Sequence, residues 1–148
     1  MEIYFKKFNQ LNTKELYAIL KLRQEVFVLE QEIVYLDTDD KDFESIHLMI
    51  NRGNELFAYC RILPKGVNYE NYLSIGRVVV SPKYRRKNYG KELMKQAINF
   101  CKNKFTEKEI KISAQLYLNK FYSDLGFEII SEMYLEDTIP HVAMVLKW

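Results

Sequence analysis

Leu73 to Phe105 reads LSIGRVVVSPKYRRKNYGKELMKQAINFCKNKF. Its opening run, Ile75, Val78, Val79 and Val80, is β-branched and stops at Ser81-Pro82, where proline removes the amide that a strand ladder needs. Beyond a basic loop, Leu93, Met94, Ala97, Ile98, Cys101 and Phe105 recur at helical spacing, while Lys91, Glu92, Lys95, Gln96 and Lys102 fall on the opposite face. The spacing predicts a strand, a loop and an amphipathic helix. Asn88 and Gly90 stand at the start of that helix, where backbone amides lack partners and the helix dipole is positive. Such an end favours anions.

Arg85, Arg86, Lys87 and Lys91 add side-chain charge to those amides, which suits a ligand with several phosphates better than a single carboxylate. A Walker A loop is excluded, because it needs Gly where Arg85 stands and Ser or Thr where Glu92 stands. The G-x-G-x-x-G dinucleotide fingerprint is absent as well. A plain solvated basic loop is the bland alternative, and the position of the loop at a helix start argues against it.

The loop Arg85-Arg86-Lys87-Asn88-Tyr89-Gly90 resembles the [RQ]-x-x-G-x-[GA] pattern of the Gcn5-related N-acetyltransferase (GNAT) superfamily, with Asn88 in place of the first glycine. Asn tolerates positive φ better than any other side chain, so the turn is expected to be kept. Tyr122-Ser123-Asp124-Leu125-Gly126-Phe127 is similar to the Y-x-x-x-G-F of the superfamily's closing helix and strand. Resemblance to the ElaA-type branch extends through Leu22 to Val28 with Glu30-Gln31, Ala58 to Pro64, Ile75 to Val80 and Tyr134 to His141. It therefore covers nearly the whole chain.

The 148 residues are expected to form one domain, residues 1–148, with a core that buries roughly 68–70% of the unfolded surface. Lys+Arg 22 against Asp+Glu 20 gives no general basicity, so no nucleic-acid partner is expected. Cys60 and Cys101 form no CxxC or paired framework and read as core thiols. MEIYFKKF alternates like a strand and lacks a signal-peptide core, and no apolar run reaches membrane-spanning length. A cytoplasmic protein without a membrane partner, monomeric or homodimeric, is the expectation.

In chain order, Ile3 to Phe8 reads as a strand, and Asn12 or Thr13 can cap a helix reaching about Glu30. Asp37, Asp39, Asp40, Asp42 and Glu44 fail the EF-hand pattern at Lys41, Asp42 and Leu48, and no metal is expected. This acidic loop is either a solvated surface or the entrance for a cationic acceptor. Ile46 to Asn51 and Leu56 to Pro64 read as strands around the turn Arg52-Gly53-Asn54-Glu55, with His47 a structural strand histidine. Ile110 to Gln115 supplies the strand after the helix. Leu118 to Leu125 is a short helix ended by Gly126, and Glu128 to Met133 and His141 to Lys147 are the last strands.

The resemblance implies an α/β fold with a mixed, largely antiparallel sheet flanked by helices, in which the strand of Val78 to Val80 splays from Ile110 to Gln115. It implies acetyl-CoA as acyl donor, with pantetheine along the backbone of Val78, Val79 and Val80, pyrophosphate on the amides of Arg86 to Lys91, and Asn119 at the pantetheine arm. The acceptor would be a small-molecule or peptide amine. Tyr122 matches the family's general acid, against the alternative of an aromatic residue that only packs. The strand Leu73 to Ser81 lacks the glutamate that many relatives use as base. His141 and Glu30 are the candidates, with Glu132 behind them. Arg23, Arg61 and Arg77 either bind a substrate carboxylate or brace the acidic loop. An acyl-homoserine-lactone-synthase-like acyltransferase and a non-catalytic CoA- or nucleic-acid-binding module are the competing readings.

Overall fold

A computed structural model describes residues 1–148. The chain runs through β1 (Glu2–Lys7), α1 (Thr13–Arg23), β2 (Ile46–Arg52), β3 (Glu55–Leu63), β4 (Ser74–Val80), α2 (Tyr89–Lys104), β5 (Glu109–Gln115), α3 (Asn119–Asp124), β6 (Glu128–Ile129), β7 (Tyr134–Glu136) and β8 (Ile139–Lys147). β1 to β4 form an antiparallel sheet in chain order, and β8 is paired by β5, β6 and β7 in a second. The two meet at one parallel bridge between Leu73 and Ile110, where the Lys111 amide donates to the Leu73 carbonyl at 2.9 Å. Beyond that bridge β4 and β5 diverge.

Alternation along the strands places a helix on each face of the first sheet. Leu48, Ile50, Ala58, Cys60 and Ile62 point to one side and pack with Leu93, Met94, Ala97, Ile98 and Cys101 of α2. Met49, Tyr59 and Val79 point to the other and pack with Ile19, Leu22 and Val26 from α1 and its continuation. This is the period-two pattern of a sheet covered on both sides. Asn12 caps α1 by accepting from the Glu15 amide while the Glu15 carboxylate accepts from the Asn12 amide. After Arg23 the helix widens into a π-helical segment, Gln24–Glu30.

The region expected as one strand from Glu128 to Met133 is shorter and more broken. β6 has two residues, and the Ser131 hydroxyl takes the Ala143 amide where a ladder bond would have been. Tyr134–Glu136 then forms a separate strand that turns back through Asp137 and Thr138, both at positive φ, into β8. Glu136 and His141 are thereby brought to the same end of the second sheet.

Candidate functional site

A cleft of about 990 Å³ opens where β4 leaves β5. Val78, Val79 and Val80 form one wall, and β4 pairs with β3 on its other edge, so the cleft-side backbone of these residues faces the gap without a strand partner. Opposite a single β3 position, Cys60, β4 carries both Arg77 and Val78, and Arg77 adopts φ 51°. This bulge turns the strand at the point where it lines the cleft.

One end of the cleft is the turn before α2. Asn88 is left-handed, at φ 63° and ψ 17°, as its side chain allows, and Arg86 is also at positive φ, 64°. The first intrahelical bond runs from the Glu92 amide to the Asn88 carbonyl at 3.1 Å. The amides of Tyr89, Gly90 and Lys91 therefore precede the ladder and remain open to a ligand. Arg85, Arg86, Asn88, Tyr89, Gly90 and Lys91 all line this end, whereas exposed Lys87 lies just outside it. Arg85 is engaged by Glu30, Nη1 to Oε2 and Nη2 to Oε1 both at 2.7 Å. That forked hydrogen bond holds the Glu30 carboxyl below its ordinary range.

The lining also includes Tyr122 and, around the start of β8, His141 with Glu136 and Ser113. Tyr122 is 7% exposed and packs edge-on against Phe121 and Phe127, and burial pushes its phenol up. The Nδ1 of His141 lies 2.7 Å from the Ile139 carbonyl and its Nε2 3.3 Å from Glu136 Oε2. Ser113 hydrogen-bonds to the Tyr134 hydroxyl, and its own hydroxyl lies 3.4 Å from Glu136 Oε1. Asn119 and Glu132 do not line the cleft. The former accepts from Ser123 at 3.1 Å, and the latter is exposed beyond β6.

The three arginines brace the acidic loop, which is not the solvated surface that its composition describes. Arg23, fully buried, donates from Nε to Asp37 and from Nη1 to Asp42, both at 2.7 Å. Arg61 forks onto Asp39 at 2.7 and 2.6 Å and reaches Asp42 at 3.0 Å. Neither lines the cleft, so neither is free to take a substrate carboxylate there. Arg77 does line it, yet its Nε lies 2.8 Å from Asp37 Oδ1 and its Nη2 donates to the Asp37 carbonyl at 2.8 Å. Burial alone would raise the carboxyls of Asp39 and Asp42, but the hydrogen bonds from Arg61 and Arg23 outweigh it and hold both low. His47, buried beneath this loop, stacks on Tyr59 and spans the Tyr59 hydroxyl and the Asp42 carbonyl at 2.7 and 2.9 Å.

Ser113, Tyr134, Glu136 and Tyr35 are cleft or near-cleft residues to which sequence reasoning assigned no role. Tyr134 and Glu136 lie within a stretch that carries the family resemblance, which was the available signal. Ser113 and Tyr35 had none, because Tyr134 reaches Ser113, and the Arg77 guanidinium comes to lie 5.9 Å from the Tyr35 ring, only in the fold.

A model of the acetyltransferase (GNAT) domain matches residues 11–148. A UPF0039 protein of Schizosaccharomyces pombe is 42% identical over 99% of this chain and 97% of its own. ElaA of Escherichia coli is 38% identical over 92% of this chain and 90% of its own, and its crystal structure superposes with a TM-score of 0.92. An acyl-CoA N-acyltransferase from Pseudomonas aeruginosa, 38% identical, also reaches a TM-score of 0.92 with 99% of each chain covered. The fold extends to an aminoglycoside 6'-N-acetyltransferase solved in complex with coenzyme A, at 15% identity, a TM-score of 0.72 and coverage of 97% and 96%. By the match over its length and by these relatives, the chain belongs to the GNAT acetyltransferase family.

Proposed function

We propose that the protein transfers an acetyl group from acetyl-CoA to a primary amine, a small molecule or a peptide, by direct attack in a ternary complex. The observation that carries this reading is the continuity of the cleft, which joins the open amides of Tyr89 to Lys91 to Tyr122 and His141 along the unpaired edge of Val78 to Val80. The pyrophosphate sits on those amides and on Arg86, with Lys87 and Lys91 adding charge. Pantetheine amides then complete the cleft edge of β4 as an added strand would.

A primary amine with an ordinary pKa of ~10.4 must lose its proton at pH 7, a cost of roughly 4.6 kcal/mol without help. His141 is the base in this reading, since the rival Glu30 is bound by Arg85 and held at low proton affinity. The freed nitrogen attacks the thioester carbonyl, and a backbone N–H near Val79 stabilises the oxyanion. As the C–S bond breaks, Tyr122 protonates the sulfur and is reprotonated in turn. The balance is ammonium plus thioester to amide, CoA thiol and one proton released to solvent.

Mixing the protein with acetyl-CoA and an amine library, and reading thiol release, tests the chemistry. Arg86→Glu and Lys87→Glu should each weaken acetyl-CoA binding in calorimetry by about tenfold, with the circular dichroism spectrum unchanged. Bound acetyl-CoA without thiol release from any amine would mark a non-catalytic module. Unchanged affinity in both variants would remove the loop from the donor site.

A further inference from the structure

His141, in the neutral form that a base needs, presents an acceptor beside the Glu136 carboxylate. A carbonyl oxygen only accepts, so the 2.7 Å contact with Ile139 requires the hydrogen on Nδ1. A ring protonated on both nitrogens would donate from Nε2 to Glu136 Oε2 at 3.3 Å; in the neutral form that the base role above requires, Nε2 carries the lone pair and faces a carboxylate that also only accepts. In that neutral form the two acceptors suit a group bearing protons placed between or beside them. The imidazole is 8% exposed and the carboxylate 53%, and both line the cleft, through which a ligand can reach the pair.

Charge at this end points to the same kind of ligand. Glu136 and Asp137 line the cleft, whose arginines are engaged elsewhere: Arg77 by Asp37, Arg85 by Glu30, and Arg86, unpaired, at the turn before α2 that takes the pyrophosphate in the transferase reading. The hydroxyl of Ser113 holds the second Glu136 oxygen toward the same space.

We propose that Glu136 anchors the acceptor as an ammonium ion, which donates to its carboxylate and to Nε2 of His141, and that the preferred acceptor lacks a carboxylate on the carbon bearing the nitrogen. This deepens the transferase reading above and rests on it. The ammonium supplies the hydrogens that the two acceptors lack, and one of those protons is the one His141 takes. An α-carboxylate would be drawn in beside Glu136 and Asp137 while Arg77 is held by Asp37 and Arg86 and Lys91 serve the donor, so α-amino acids are disfavoured by like-charge repulsion.

Thiol release from acetyl-CoA is to be measured for tyramine against tyrosine, tryptamine against tryptophan and agmatine against arginine, together with the best amine of the library. Within each pair, the member without the carboxylate should have the higher kcat/KM, by about tenfold or more. Glu136→Gln should raise KM for the best amine about tenfold while kcat falls less and acetyl-CoA affinity stays within about twofold; Glu136→Asp should recover part of the loss. Equal or reversed preference within the pairs, or a Glu136→Gln KM within twofold of wild type, overturns the anchor and leaves the transferase intact. No thiol release from any amine, with acetyl-CoA bound, overturns the transferase reading and the anchor with it.

Discussion

Glu30 and Arg85 form a forked ion pair inside the cleft lining, with both N–O distances at 2.7 Å. The pair ties the π-helical end of the first helical segment to the loop that precedes α2. In the proposed reading, a donor pyrophosphate at the adjoining turn would compete with Glu30 for the Arg85 guanidinium. Both side chains are about two-fifths exposed, which keeps the energy of the pair small. Glu30→Gln should therefore tighten acetyl-CoA binding in calorimetry by roughly threefold. With its carboxyl held low by Arg85, Glu30 is a poor base, and kcat should stay within about twofold of wild type. A loss approaching a hundredfold in kcat would instead make Glu30 the base.

Asn88 holds the left-handed conformation with no capping bond from its side chain. Its contribution to the loop is thus its backbone alone. Asn88→Gly should bind acetyl-CoA within about twofold of wild type, because glycine adopts this conformation without cost. Asn88→Val should weaken binding about tenfold, since a β-branched residue is strained there and the amides of Tyr89 to Lys91 lose their alignment. Equal binding by the valine variant would mean that the ligand does not use this turn.

The buried pairing of Arg23 with Asp42 makes a prediction about stability rather than activity. Asp42→Asn removes the carboxylate that Arg23 and Arg61 share and leaves Asp37 alone to offset fully buried Arg23, and should destabilise the fold by about 3 kcal/mol at pH 7 in urea unfolding. The carboxyls of Asp39 and Asp42 are held below their ordinary value, so their stabilisation is complete above about pH 4 and is lost as pH falls further. The gap between wild type and Asp42→Asn should accordingly narrow below pH 4. A gap that is constant from pH 7 to pH 3 would show that the cost is one of packing and not of charge.

What was legible in the sequence was whatever depends on near neighbours. The stripe from Leu93 to Phe105, the cap at Asn12 and the left-handed Asn88 all follow from spacing and side-chain type over a few positions. The widening after Arg23 and the positive φ of Arg77 leave no such trace, because each answers to packing against distant residues. The arginine network shows the limit most clearly. Arg23, Asp37, Asp42 and Arg61 are spread over much of the first half of the chain, and only the folded sheet reveals that the carboxylates are spent on the chain's own cations. His141 and Glu136 share that limit: their turn at Asp137 and Thr138 lay in what reads as loop.

Tyr122 carries the last prediction. It belongs to α3, lies three residues beyond Asn119, and presents its ring to Phe121 and Phe127 while lining the cleft. Asn119 turns to Ser123 instead, so the two do not act together on the cofactor arm in this arrangement. Phenylalanine keeps the ring and its edge contacts, and the fold should lose well under 1 kcal/mol or so. The thiol of CoA, with an ordinary pKa of ~8.5, leaves more readily than an alkoxide, so the proton is worth less here than in most acid-catalysed steps. Tyr122→Phe should lower kcat by roughly 10²-fold with acetyl-CoA affinity nearly unchanged. Because burial pushes the phenol up, the wild-type rate should show no fall from its ionisation near pH 10, where an exposed tyrosine would begin to lose its proton. A variant within about threefold of wild type would leave Tyr122 as a packing residue, and a wild-type alkaline limb near pH 10 that the variant lacks would mean that its hydroxyl reaches water.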